Sequence, residues 1–284
     1  MKIASIDIGT NAIKSKIFVT TPTSIELIKA IRSPIRLGGD VFQNGILSKR
    51  KLNQVIKTVQ EYEGIFKQEA IEHYEIVATS AFRDTSNSED ARRYIENAIH
   101  HPVRVISGLE EAKLMRFHPQ SMEGNSSIFV DLGGGSTEFF IHDQDGIQIR
   151  SFQLGAVRNM LKKDSKREWI RLKKWLQATK PKKHLIAIGG NMKSFLQWCE
   201  IQEIGMIDFD YQVARLKALT TKEKIKLHKF SPDRADVIDY ALEIFKFITD
   251  NLDVKKISAT KWGVSDSIAV KTFHELYSKK IKIS

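Results

Sequence analysis

Apolar and small or polar residues alternate over Ile3-Ala4-Ser5-Ile6, the pattern stops at Asp7-Ile8-Gly9-Thr10-Asn11, and it resumes over residues 13 to 20. Two-residue periodicity on both sides of a glycine-bearing break predicts a strand, a tight turn and an antiparallel strand. The same design returns at 127 to 142, where Ser127-Ile128-Phe129-Val130-Asp131 meets Leu132-Gly133-Gly134-Gly135-Ser136 and an apolar run follows. The two aspartates lie 131 − 7 = 124 positions apart, a spacing that predicts a duplicated half-molecule with two related domains facing each other.

Between the breaks, Leu52, Val55, Ile56, Val59, Tyr62, Ile65 and Phe66 recur at helical spacing behind Ser48, which caps the first turn. Residues 74 to 81 read as a buried strand, Ser86 with Glu89 as a capping box opening the next helix, and 103 to 107 as a further strand. In the second half, residues 184 to 188 form a strand that runs into Gly189-Gly190-Asn191 and a helix. Ser231-Pro232-Asp233 opens a long helix with Val237, Ile238, Ala241, Leu242, Phe245 and Ile248 on its apolar face. Strands alternating with helices predict an α/β architecture.

The 284 residues, 42% hydrophobic and 28% charged, fit one large domain or two smaller ones. The chain opens without a charged segment followed by an apolar stretch, and no later apolar run is long enough to span a bilayer, so a cytoplasmic protein with no membrane partner is expected. Cys199 is the only cysteine, which excludes an intrachain disulfide and a cysteine metal cage. Lysine and arginine outnumber aspartate and glutamate 45 to 34; the resulting +11 charge draws polyanions, while no recognised motif points to specific nucleic-acid binding.

The breaks carry the candidate chemistry. Glycines let backbone N–H groups converge on phosphate oxygens, and Ser136 and Thr137 add hydroxyl donors. Asp131 and Glu138 flank the second loop and can share a hard cation; Mg²⁺ bridging to phosphate is the natural candidate.

These residues resemble the exopolyphosphatase and guanosine pentaphosphate phosphatase family within the actin-like ATPase superfamily. The resemblance runs through residues 6 to 17, 36 to 40, 78 to 87, 105 to 114, 130 to 138, 154 to 158, 188 to 191 and 232 to 238, in the family's order. It implies two ribonuclease H-like domains, 1–120 and 121–284, with an interdomain cleft and a last helix able to pack back on the first domain. It also implies hydrolysis of a terminal phosphoanhydride. By position, Glu111 matches the family's catalytic glutamate, and Arg83 lies on its arginine-bearing strand end. A carboxylate that takes a proton from water is what such hydrolysis needs, and a planar guanidinium suits phosphate oxygens. Asp7, Gly9, Thr10 and Asn11 match the first phosphate loop, Gly133, Gly134, Gly135, Ser136 and Thr137 the second, and Gly189 and Gly190 a later landmark. Homodimers are usual in that family.

The chain departs from the family where Ala12 replaces a serine, where Phe117-His118-Pro119 follows the glutamate helix, and where Ser265 replaces an arginine. An exopolyphosphatase acting on inorganic polyphosphate is the leading expectation, with guanosine pentaphosphate as the alternative substrate. A weakly active or inactive polyphosphate or nucleotide sensor is the alternative of another class. A sugar kinase or actin-like ATPase would share the loops, but the Ser107-to-Ala112 stretch belongs to the hydrolases.

Overall fold

The computed structural model describes residues 1–124 and 126–281. The chain divides into two compact units: Met1–Phe117 together with the segment from Val264, and His118–Gly263. The sequence-based division was 1–120 and 121–284.

The first unit opens with β1 (Lys2–Ile8), β2 (Ala12–Thr20) and β3 (Ile25–Pro34), followed by α1 (Leu37–Asn44) and α2 (Lys49–Gln68). Then come β4 (His73–Ala78), α3 (Ser80–Arg83), α4 (Ser88–Ile99), β5 (Val103–Val105), α5 (Gly108–Leu114) and one 3₁₀ turn at Met115–Phe117. Its sheet has the order β3-β2-β1-β4-β5. The second unit runs β6 (Ser127–Leu132), β7 (Thr137–Asp143), β8 (Gly146–Phe152), α6 (Ala156–Met160), α7 (Lys166–Ala178), β9 (Lys182–Ile188) and α8 (Gly190–Trp198). It continues with β10 (Glu203–Gly205), α9 (Met206–Lys217), α10 (Thr221–Lys226), α11 (Pro232–Ala235), α12 (Ile238–Asn251) and β11 (Val254–Ala259). Its sheet has the order β10-β11-β9-β6-β7-β8. The last helix, α13 (Val264–Ile281), belongs to the first unit.

The two sheets repeat one plan. In each, a hairpin pair lies antiparallel (β1 with β2, β6 with β7) and the first strand of the pair lies parallel to a later one (β4, β9). The strand β1 is central and almost wholly buried, as its apolar content requires. Helix α2 covers its sheet as the periodicity predicts: the Ser48 hydroxyl accepts from Lys51 N–H, and Leu52, Val55, Val59, Tyr62 and Phe66 are buried. Helix α13 completes the first core, with Val264 and Ile268 against Val77, Ile106 and Leu114, and Ala269 against Ile3 and Phe18. Among the described residues no helix is long and apolar enough to cross a membrane.

Four local expectations need correction. The strand over 74 to 81 ends at Ala78, because Phe82 N–H bonds back to the Thr79 carbonyl and the chain leaves the sheet as α3. Helix α4 starts at Ser88, not behind a Ser86–Glu89 box: Ser86 is tied to the Gly45 carbonyl, and Glu89 pairs with Arg92 and Arg93. β5 stops at Val105, and Ser107 instead caps α5 in a reciprocal box with Glu110. The long helix from Ser231 is two helices, since Val237 N–H closes a tight turn on the Arg234 carbonyl and restarts the ladder one turn later.

Candidate active site

In the first unit, the hairpin between β1 and β2 closes through Gly9 N–H on the Ala12 carbonyl at 3.1 Å, and a Cβ on Gly9 would lie 3.1 Å from that same oxygen. The carbonyls of Thr10 and Asn11 accept from Gly38 and Arg36 N–H, each at 3.0 Å, so the entry to α1 backs the loop. Asp7 stands opposite Lys14 in the ladder, with Lys14 Nζ 3.6 Å from its carboxylate. Burial pushes the Asp7 carboxyl above its ordinary range, against the opposing pull of Lys14. Ala12, where a hydroxyl was expected from the resemblance, is buried.

On the same unit, the capping box settles the directions of the two adjacent glutamates. Glu110 bonds Ser107 N–H at 2.7 Å, and that bond holds its carboxyl below the ordinary range. Glu111 lies about a quarter-turn around α5 and is buried, 9% exposed. Arg83 Nη1 donates to Glu111 Oε2 at 2.8 Å and to the Ile106 carbonyl at 3.0 Å. A guanidinium fixed by the backbone thus holds the carboxylate in one orientation. Ser265, at the position of the family's arginine, is buried in the first turn of α13, where its carbonyl accepts from the Ser5 hydroxyl.

In the second unit, Gly133 N–H bonds the Ser136 carbonyl at 3.0 Å, the counterpart of Gly9 and Ala12. The carbonyls of Gly133 and Gly134 accept from the first N–H groups of α6, at 2.8 to 3.0 Å, and the Gly135 carbonyl accepts from Arg158 Nε at 2.7 Å. With three carbonyls turned to that side, the N–H groups of Gly134 and Gly135 make no hydrogen bond among the described residues. Such unengaged loop N–H groups are the donors that the family resemblance assigns to phosphate. The close approach depends on Gly155, where a Cβ would fall 2.5 Å from Gly135 N and 2.6 Å from the carbonyl carbons of Gly134 and Gly135. Ser136 is buried in the loop. Thr137 is fully buried and gives its hydroxyl proton to the Leu154 carbonyl at 2.6 Å, which ties the loop down from inside.

Asp131 and Glu138 are direct cross-strand partners, so their side chains share one face of the sheet. Glu138 accepts from Ser151 Oγ at 2.8 Å. Gly189, at φ 92°, brings the end of β9 against Asp131; a Cβ there would sit 3.4 Å from Oδ1. Asn191 donates to the Leu132 carbonyl and accepts from Arg234 Nη1, while a Cβ on Gly190 would come within 2.5 Å of Arg234 Nη2. The second unit therefore gathers Asp131, Gly133 to Ser136, Glu138, Gly189 and Gly190 in one place. It adds Arg158, Asn191 and Arg234, to which the sequence alone assigned no role, although each lies in a stretch that carries the family resemblance. Among the described residues no cluster of three or more metal-ligating side chains occurs. Two facing carboxylates still fit Mg²⁺, which keeps several waters and binds through one or two carboxylates plus substrate phosphates.

His118, the other departure, packs its ring on Phe129 and Trp262, accepts from Gln120 N–H at Nδ1 and bonds Thr260 through Nε2. Its place is structural.

The fold matches an exopolyphosphatase structure from Cytophaga hutchinsonii, with a TM-score of 0.83 and 20% identity over 97% of this chain and 98% of that one. It also matches the Aquifex aeolicus Ppx/GppA family member, with a TM-score of 0.77 and 20% identity over the same shares. Both support the actin-like two-domain fold. Among curated proteins, the bifunctional 3-dehydroquinate synthase/phosphatase of Fusobacterium nucleatum is 28% identical over 87% of this chain and 43% of its own length. The guanosine-5'-triphosphate,3'-diphosphate pyrophosphatase of Pseudoalteromonas atlantica is 25% identical over 54% of this chain and 31% of its own. The chain spans less than half the length of these curated relatives. Residues 16–276 match the Ppx/GppA phosphatase family, and the chain belongs to it.

Proposed function

We propose that the chain is a phosphoanhydride hydrolase that removes the terminal phosphate of inorganic polyphosphate as orthophosphate. The glycine loop at 133 to 136 supports this most: its carbonyls are bound by α6 and Arg158, and Asp131 and Glu138 flank it as a cross-strand acidic pair. Phosphoryl transfer needs little beyond positioning and charge neutralisation. The oxygen of water attacks the terminal phosphorus, Glu111 takes the proton, and the bond to the bridging oxygen breaks, so the shortened chain leaves with that oxygen and its electron pair. Arg83 orients the base. A magnesium ion held by Asp131 and Glu138 would, when bound, neutralise phosphate charge. The +11 charge favours a long polyanion over a single nucleotide.

A cytoplasmic homodimer belongs to the same reading; light scattering that gives the mass of one 32.4 kDa chain would remove the dimer. The reaction is tested by measuring phosphate release with Mg²⁺ from long-chain polyphosphate and from guanosine pentaphosphate, with the parent chain and Glu111→Gln. Release from polyphosphate, lost by about 10²-fold or more in the variant, is expected. Release from guanosine pentaphosphate alone would replace the substrate, and release from neither would refute the reading.

A further inference from the structure

We propose that the second unit carries a distal phosphate subsite, beside the turn at Gly189 and Gly190, that takes phosphate groups further along an extended oligophosphate chain. This rests on the phosphoanhydride reading above and names the residues that would make it selective for long chains.

A cavity of about 180 Å³ opens between the end of α8 and the segment joining α10 to α11. Its lining includes the hydroxyls of Ser194 and Ser231, the amide of Gln197, the ring of His228 and the cations Lys229 and Arg234. No carboxylate lines it among the described residues. Six of its eight lining residues are polar or cationic, the other two being Trp198 and Phe230, and a wall with two cations and no acid suits an anion such as a phosphate group. Pockets for drug-sized ligands run to roughly 300–1,000 Å³, so this one holds a compact anionic group and not a whole nucleoside.

Arg234 links the cavity to the glycine turn. Its guanidinium lines the cavity, donates to Asn191 and lies so close to Gly190 that a Cβ there would come within 2.5 Å of Nη2. Asn191 in turn holds the Leu132 carbonyl at the root of the phosphate loop. One planar cation therefore touches both the turn and the cavity, and the proposed course of the chain runs past Arg234 to Lys229. Five N–H donors in a fixed fork let one arginine bond Asn191 and a phosphate oxygen together.

The test is Lys229→Glu, on an exposed side chain, with the fold of the variant checked by its urea melt. With Mg²⁺, the variant should raise KM for long-chain polyphosphate at least tenfold, the equivalent of one hydrogen bond to a charged group, while kcat and the rate on tripolyphosphate stay within about twofold. Lys229→Arg should restore the parent KM. Independently of turnover, long-chain polyphosphate in EDTA should change the emission of Trp198, which lines the cavity; Trp198→Phe should abolish that change and Lys229→Glu weaken the binding tenfold. An unchanged KM, an equal loss on both substrates, or a Trp198 response to guanosine nucleotides but not to polyphosphate would overturn the subsite. A parent chain that binds polyphosphate through Lys229 yet releases no phosphate would keep the subsite and remove the hydrolase reading.

Discussion

Replacing Gly155 with alanine tests whether the second loop is held as described. Gly155 has an extended backbone, φ −157°, that any residue can adopt, so the substitution probes space alone. The new Cβ would start 2.5 Å from Gly135 N, and reaching ordinary contact near 3.4 Å means moving loop and helix apart by about 0.9 Å. The atoms it meets are backbone, so no side chain can swing aside. Such a shift stretches the bonds from Ala156 to Gly133, from Val157 to Gly134 and from Arg158 to Gly135 beyond useful length. At about 0.5–1.5 kcal/mol net for each, their loss destabilises the unit by roughly 1.5–4.5 kcal/mol. A phosphate cradle displaced by close to 1 Å should lose about 10²-fold in turnover. Urea unfolding of the purified variant and phosphate release under saturating polyphosphate measure the two effects. The control is Gly64→Ala in α2, where a Cβ meets nothing within 4 Å and stability should rise by about 0.5–1 kcal/mol. A Gly155→Ala protein within about 0.5 kcal/mol and twofold in activity of its parent would refute the reasoning, because thresholds that small lie below even one lost bond.

Asp131→Asn and Glu138→Gln should each raise the Mg²⁺ concentration for half-maximal activity by about tenfold or more, read from a metal titration; equal metal dependence in parent and variants would dismiss the cation role. Removing Arg83 as Arg83→Ala leaves the buried Glu111 carboxylate without its fixed ion-pair partner, so urea unfolding should show a loss of about 1–3 kcal/mol, and Arg83→Lys should recover only part of it. Burial pushes His118 down to about 4, below the value near 6.5 that it has when unfolded, so the neutral ring stabilises the fold at pH above 6.5. That stability is lost as pH falls from 6.5 toward 4, by about 2–3 kcal/mol, and His118→Asn should flatten the slope in urea melts over that window. Burial raises the Cys199 thiol to about 11, so labelling with a disulfide reagent at pH 7.5 should be at least tenfold slower than for a free cysteine peptide.

Much of this was legible because it is local. The two hairpins, α2 with its Ser48 cap and the glycine turn after β9 follow from periodicity and turn chemistry within a few residues. The box between Ser107 and Glu110 stands in the sequence as Ser-x-x-Glu but was missed, because residues 103 to 107 read as a strand, and it decides which of two adjacent glutamates points at Arg83. What could not be read depends on partners distant along the chain. Arg158 holds a carbonyl 23 residues away, and Arg234 holds a side chain 43 residues away. Both look like ordinary surface cations until the sheet brings those partners together. Thr137 shows the converse: its hydroxyl looks available in sequence, and the fold turns it inward to Leu154.

The duplicated hairpins differ at several positions, and one of them, a ladder position, changes the charge beside the loop. Opposite Asp7 stands Lys14, so the first unit meets its buried carboxylate with a cation of its own chain. Opposite Asp131, at the same place in the plan, stands Glu138. Two carboxylates on one face repel, and burial increases the cost of keeping both charged unless a cation or proton joins them. The first loop is thereby suited to meet phosphate with backbone amides and a lysine, without recruiting metal. The second pairs two carboxylates, an arrangement that suits a divalent ion. Lysine against glutamate at this one place thus gives the two hairpins opposite local charge: a neutralised aspartate in the first unit and a paired acid in the second.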